Sequence, residues 1–129
     1  MIDTQTRCDE FGLTMPEDCD YLADALLALG FTDWTYPNDE QPSMGIQLVP
    51  STSTQDWYAQ VFYGTSKPDG FASYTVLVSA GGIWGIDDYC ESEDCEHWTE
   101  ALRMLVEALK LSSDILARID YLNEIRRRI

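Results

Sequence analysis

The hydrophobic pattern of this chain changes period twice, and that restricts the fold more than any single motif. Over residues 15–29, Leu22, Ala25, Leu26 and Leu29 recur at helical spacing. The middle of the chain holds short runs rich in β-branched and aromatic residues, 44–49, 57–63 and 72–79, each bounded by turn residues. Helical spacing returns in Trp98, Ala101, Leu102, Leu105 and Leu109, then in Ile115, Ile119, Leu122, Ile125 and Ile129. Helix, strands, helices in that order predict an α+β fold. Its parts are an N-terminal helix, a three- to four-stranded antiparallel meander, and two C-terminal helices packed on one face of the sheet.

Local signals set the expected boundaries. Thr14-Met15-Pro16-Glu17 fits a capping box, with Thr14 as N-cap and Glu17 reaching back, and Gly30 supplies a left-handed stop, so one helix is expected over 15–29. Ser66-Lys67-Pro68-Asp69-Gly70 is a strong turn sequence, and a turn at Ala80-Gly81-Gly82 would start a short fourth strand over 83–86. Ser112-Ser113-Asp114 reads as a cap-like break between the last two helices. No internal repeat or linker interrupts the chain, so residues 1–129 are expected to form one domain.

Charge then decides which partners suit such a domain. The 129 residues carry 23 acidic and 8 basic side chains, a net of −15. An aromatic share of 12% argues against a solvated, disordered acidic tail. Residues 1–102 hold 19 acids against only Arg7 and Lys67, while 103–129 hold 4 acids and 6 bases. The terminal Arg126, Arg127 and Arg128 suit a helix C-terminus, whose exposed carbonyls favour cations. Direct binding to DNA, RNA or an anionic membrane is disfavoured, because the field of the whole protein repels phosphate. With no apolar run of membrane length and no basic, apolar leader at Met1-Ile2-Asp3-Thr4, the expectation is a soluble cytoplasmic protein.

Catalytic and metal chemistry are poorly provided for. His97 is the only histidine, and it lies beside Glu93, Asp94 and Glu96, which discourage a thiolate at nearby Cys95. Gly81, Gly82 and Gly85 lack the spacing of a phosphate-binding loop and are followed by Asp87 and Asp88. Cys90 and Cys95 with Cys8 and Cys19, or three of these thiolates with His97, would supply four zinc ligands, but neither cysteine pair has the two-residue separation typical of such sites. Free thiols in a reducing compartment, or a local bridge between Cys90 and Cys95, are the alternatives. Asp87, Asp88, Glu91, Glu93, Asp94 and Glu96 are dense enough to suggest calcium, yet the twelfth position counted from Asp87 is Trp98 and not a bidentate Glu. The expectation is a protein with no enzymatic activity, no cofactor and no metal.

What remains is the acidic surface. Solubility alone is its ordinary explanation. The functional reading is that carboxylates imitate phosphates. Glu17, Asp20 and Asp24 form a row on the first helix opposite its apolar stripe, with Asp33, Asp39 and Glu40 beyond. A dense loop at 87–96 adds Asp87, Asp88, Glu91, Glu93 and Asp94. Trp34, Tyr36 and Tyr89 sit among these acids as apolar anchors. Together they are the candidate partner-binding residues, and the expected partner is a basic nucleic-acid-binding protein or nuclease complex. In size and charge the whole chain is similar to phage-encoded anti-CRISPR and anti-restriction proteins, several of which mimic nucleic acid. It is similar in the same respects to immunity proteins that neutralise nuclease toxins. These resemblances imply a non-enzymatic inhibitor, acting in the host cytoplasm if phage-encoded. An immunity protein or antitoxin is the alternative. Neither resemblance carries any residue-level pattern.

Overall fold

The structure is a computed structural model that describes residues 3–49, 56–65, 72–81 and 89–128. Its elements are α1 (Thr4–Glu10), α2 (Cys19–Ala28), β1 (Thr32–Asp33), β2 (Ser43–Val49), β3 (Asp56–Tyr63), β4 (Tyr74–Gly81), β5 (Tyr89–Cys95) and α3 (Trp98–Arg128). The strands form one antiparallel sheet in the order β1-β2-β3-β4-β5, so the meander has five strands and not three or four.

Strand alternation separates the two sheet faces. Met44 on β2, Ala59, Val61 and Tyr63 on β3, and Tyr74, Val76 and Val78 on β4 are buried in one cluster with Cys8, Cys19, Leu22, Leu26, Ala101 and Leu105 from the helices. The α+β class therefore holds, with two N-terminal helices and one C-terminal helix in place of the expected one and two. Residues of opposite parity point the other way: Gly45 and Gln47 on β2, Tyr58, Gln60 and Phe62 on β3, and Thr75, Leu77 and Ser79 on β4.

The helices depart from the sequence reading in three ways. α1 lacks an apolar stripe, yet forms because Asp3 caps it, accepting from the Thr6 backbone N–H at 3.0 Å, while Thr4 and Cys8 are buried. α2 begins at Cys19 and not at 15: Thr14 pairs instead as an isolated bridge with Thr65, with N–H to carbonyl distances of 2.8 and 2.9 Å, so the capping box is not made. The expected stop does appear, with Gly30 at φ 96°. α3 is one helix of 31 residues where two were expected. Ser112, Ser113 and Asp114 each cost only a few tenths of a kcal/mol in a helix interior, and neither Gly nor Pro is present to stop propagation.

The acidic stretch is also reassigned. Residues 89–95 are not a loop but the edge strand β5, aligned on β4 from Tyr89↔Ala80 to Cys95↔Tyr74. Cys95 is buried opposite Tyr74, and Thr75 Oγ1 donates to Asp94 at 2.7 Å. Acids along an exposed sheet edge discourage pairing with another chain. The turn at 66–70 and the strand expected at 83–86 lie outside the described residues.

Asp18 locks the layers together. It precedes α2 but makes no side-chain cap there; its carboxylate accepts from the Tyr74 hydroxyl on β4 and, at 2.9 Å, from the Trp98 N–H that opens α3. One side chain thus satisfies the N-terminus of a helix 80 residues downstream. Tyr21 stacks on Trp98, with ring centroids 5.7 Å apart, at the same junction.

Candidate binding pocket on the second sheet face

Trp34 follows the two-residue strand β1 and is held by a dense local network. Its N–H donates to the Ser43 carbonyl at 3.0 Å, and Ser43 Oγ donates back to the Trp34 carbonyl at 3.2 Å. Thr35 donates its hydroxyl to Asp33 at 2.6 Å and accepts from the Ser43 N–H at 3.2 Å. Asp33 in turn receives Arg7 of α1, at 2.6 Å from Nη2 and 2.8 Å from Nε. Partial burial raises the Asp33 pKa, but the Thr35 hydroxyl and the Arg7 guanidinium outweigh it and hold the carboxyl below its ordinary range. A helix on one side of the sheet therefore fixes the backbone that carries an aromatic onto the other.

Gly45 explains where the indole goes. A Cβ built on Gly45 would lie 2.1 Å from Trp34 Cε3 and 2.2 Å from Cδ2, so the ring rests directly on bare β2 backbone. Beside it, Tyr58 of β3 stands with its ring centroid 5.9 Å from the indole and its plane tilted by 50°. Trp34, Tyr36, Gln47, Tyr58 and Gln60 line an open pocket of about 270 Å³. Gln60 is 8% exposed and donates Nε2 to Ser43 Oγ at 2.8 Å, which fixes its amide. Tyr36, 60% exposed, forms the outer wall.

Trp34 and Tyr36 were legible as candidates, and the structure brings them together. Tyr58, Gln47 and Gln60 were missed, although period-two alternation along β2 and β3 puts them on the face opposite Val61 and Met44. Asp39 and Glu40 lie on the same β1–β2 connection, where the Asp39 N–H donates to the Tyr36 carbonyl at 3.1 Å. The other candidates are elsewhere. Asp20 and Asp24 are exposed on α2 and Glu17 in the turn before it, within the helical layer. Tyr89, Glu91, Glu93 and Asp94 belong to β5, four strand spacings from β1 or about 19 Å across the sheet. The expected juxtaposition of aromatic anchors with the densest acids is therefore not made at Trp34. Asp87 and Asp88 lie outside the described residues.

Cysteine geometry follows from the same register. Cys90 and Cys95 are five residues apart on one extended strand, about 17 Å between Cα atoms, far beyond the reach of a disulfide, so the local bridge is overturned. Burial pushes the Cys8 thiol up to about 11 and Cys19 up to about 12, which opposes thiolate formation at both. Cys95, also raised by burial, to about 11, donates weakly to the His97 carbonyl at 3.9 Å, while the His97 side chain is exposed. Among the described residues, no group of three or more His, Cys, Asp or Glu side chains converges to hold a metal ion. Among them, too, no helix is long and apolar enough to cross a membrane.

Fold and site together define an acidic α+β protein whose five-stranded meander carries helices on one face and an aromatic pocket on the other. No family model, curated protein or solved structure matches the chain.

Proposed function

We propose that this protein is a non-enzymatic inhibitor that occupies a basic, nucleic-acid-binding surface on another protein, with its carboxylates standing in for phosphates. The observation that carries this reading is the concentration of 19 acids against two bases in residues 1–102, with Glu17, Asp20, Asp24, Glu40, Glu93 and Asp94 all exposed. Such a field accelerates encounter with a cationic surface and repels nucleic acid itself. A phage counter-defence protein of the anti-CRISPR or anti-restriction type fits this description. One feature favours the second reading, an immunity protein or antitoxin matched to one nuclease toxin: the pocket around Trp34 offers a rigid, shape-specific anchor of the kind that dominates tight interfaces.

Affinity capture from host lysate, followed by assay of the captured protein's DNA or RNA binding, tests the proposal. The expected result is a basic nucleic-acid-binding protein that duplex DNA displaces. Its retention should fall steeply between about 0.05 and about 0.5 M salt, where screening shortens from roughly 14 to roughly 4 Å. Reversing Glu91, Glu93 and Asp94 to Lys should abolish inhibition, while reversing Glu17, Asp20 and Asp24 should mainly slow association. If both triple variants inhibit like the parent, the acids act only as a solvated surface and the proposal fails.

A further inference from the structure

We infer that the pocket formed by Trp34, Tyr36, Gln47, Tyr58 and Gln60 receives the guanidinium of an arginine side chain presented by the partner. The inference rests on the inhibitor reading for the origin of that arginine, and on the pocket alone for its chemistry. At about 270 Å³ the open cavity has room for one long side chain.

Its walls select the kind of side chain. The rings of Trp34 and Tyr58, with centroids 5.9 Å apart and planes tilted by 50°, line the pocket, with Tyr36 as a third aromatic. A cation over such faces is attracted by the ring quadrupoles, and the net charge of −15 adds a long-range bias of the same sign. Arginine is favoured over lysine because its head is planar. It stacks on a ring while its edge N–H groups donate in plane. Gln60 lines the same pocket, its amide nitrogen donating to Ser43 Oγ at 2.8 Å. Tyr36 and Tyr58 add phenol groups to the lining. The indole needs no rearrangement, because Gly45 and the Ser43 hydrogen bonds already seat it.

The test uses the full chain and a blocked tripeptide, acetyl-Gly-Arg-Gly-amide, titrated in a heteronuclear NMR experiment. Matched peptides carry lysine or citrulline, the latter a neutral isostere of arginine. Expected are saturable shifts at the Trp34 indole N–H and at the Gln47 and Gln60 side-chain amides. Citrulline should bind about tenfold more weakly, and lysine should fall between the two. Trp34→Ala should remove the response, and Tyr36→Ala, on an exposed connection, serves if the former fails to fold. Equal binding of arginine and citrulline, or shifts confined to α2 and β5, would overturn the inference. Because the titration needs no partner protein, its failure leaves the inhibitor proposal intact; failure of lysate capture likewise leaves the arginine result standing.

Discussion

Replacing Asp18 should reveal how much of the fold depends on one carboxylate. In Asp18→Ala the hydroxyl of Tyr74, a residue with no exposed surface, loses its acceptor, and an unsatisfied buried donor costs about 1–3 kcal/mol. The first turn of α3 also loses the acceptor held 2.9 Å from the Trp98 N–H, worth about 1 kcal/mol as a cap, and a negative charge near a helix N-terminus worth about 0.5 kcal/mol. The overlapping terms give an expected loss of about 3 kcal/mol, a large part of the roughly 5–15 kcal/mol that holds a domain together. Asp18→Asn keeps an oxygen acceptor and should lose about 1–2 kcal/mol, while Tyr74→Phe removes donor and debt together and should lose about 1 kcal/mol. Guanidinium unfolding followed by far-ultraviolet circular dichroism measures each variant. The double-mutant cycle between positions 18 and 74 should return a coupling of at least about 1 kcal/mol. A stability of Asp18→Ala within about 0.5 kcal/mol of the parent would refute the assignment of Asp18 as the link between α2, β4 and α3.

Tyr63 offers the opposite case: its buried hydroxyl has no hydrogen-bond partner among the described residues, so Tyr63→Phe should match the parent or exceed it by up to about 1 kcal/mol in the same unfolding assay, and a clear loss would count against an orphaned hydroxyl. Gly45→Ala should displace the indole and destabilise by about 1–3 kcal/mol, seen as a shifted Trp34 indole N–H resonance, since a Cβ 2.1 Å from the ring cannot be accommodated in place. The thiols of Cys8 and Cys19 stay protonated in the folded state to about 11 and about 12, so their contribution to stability is full below the unfolded value of about 8.5 and is lost as pH rises from there. Unfolding midpoints at pH 7, 8.5 and 10 should fall in that order for the parent and fall less for Cys19→Ala, and equal slopes would reject the burial argument.

Much of this architecture is legible in the chain because local periodicity sets it. Strands β2, β3 and β4 match the apolar runs within two residues, since alternation with β-branched and aromatic residues is itself the requirement for a half-covered strand. The stop at Gly30 is equally local, because a positive φ is cheapest for glycine. The acid excess and its confinement to residues 1–102 are properties of sequence alone.

Tertiary structure decided the rest, wherever a partner distant in the chain outweighed local preference. Thr14 gives up a capping box for a bridge to Thr65, and Asp18 caps a helix 80 residues away. Tyr89 to Cys95 become a strand because β4 offers unpaired backbone groups that an acidic loop would leave to water. The pocket was hidden for the same reason: Trp34, Gly45, Tyr58 and Gln60 become neighbours only through the pairing of β2 with β3 and the fold-back of the segment after β1. Composition fixes which charges the chain carries, but only the register decides which aromatics meet on the sheet face opposite the helices.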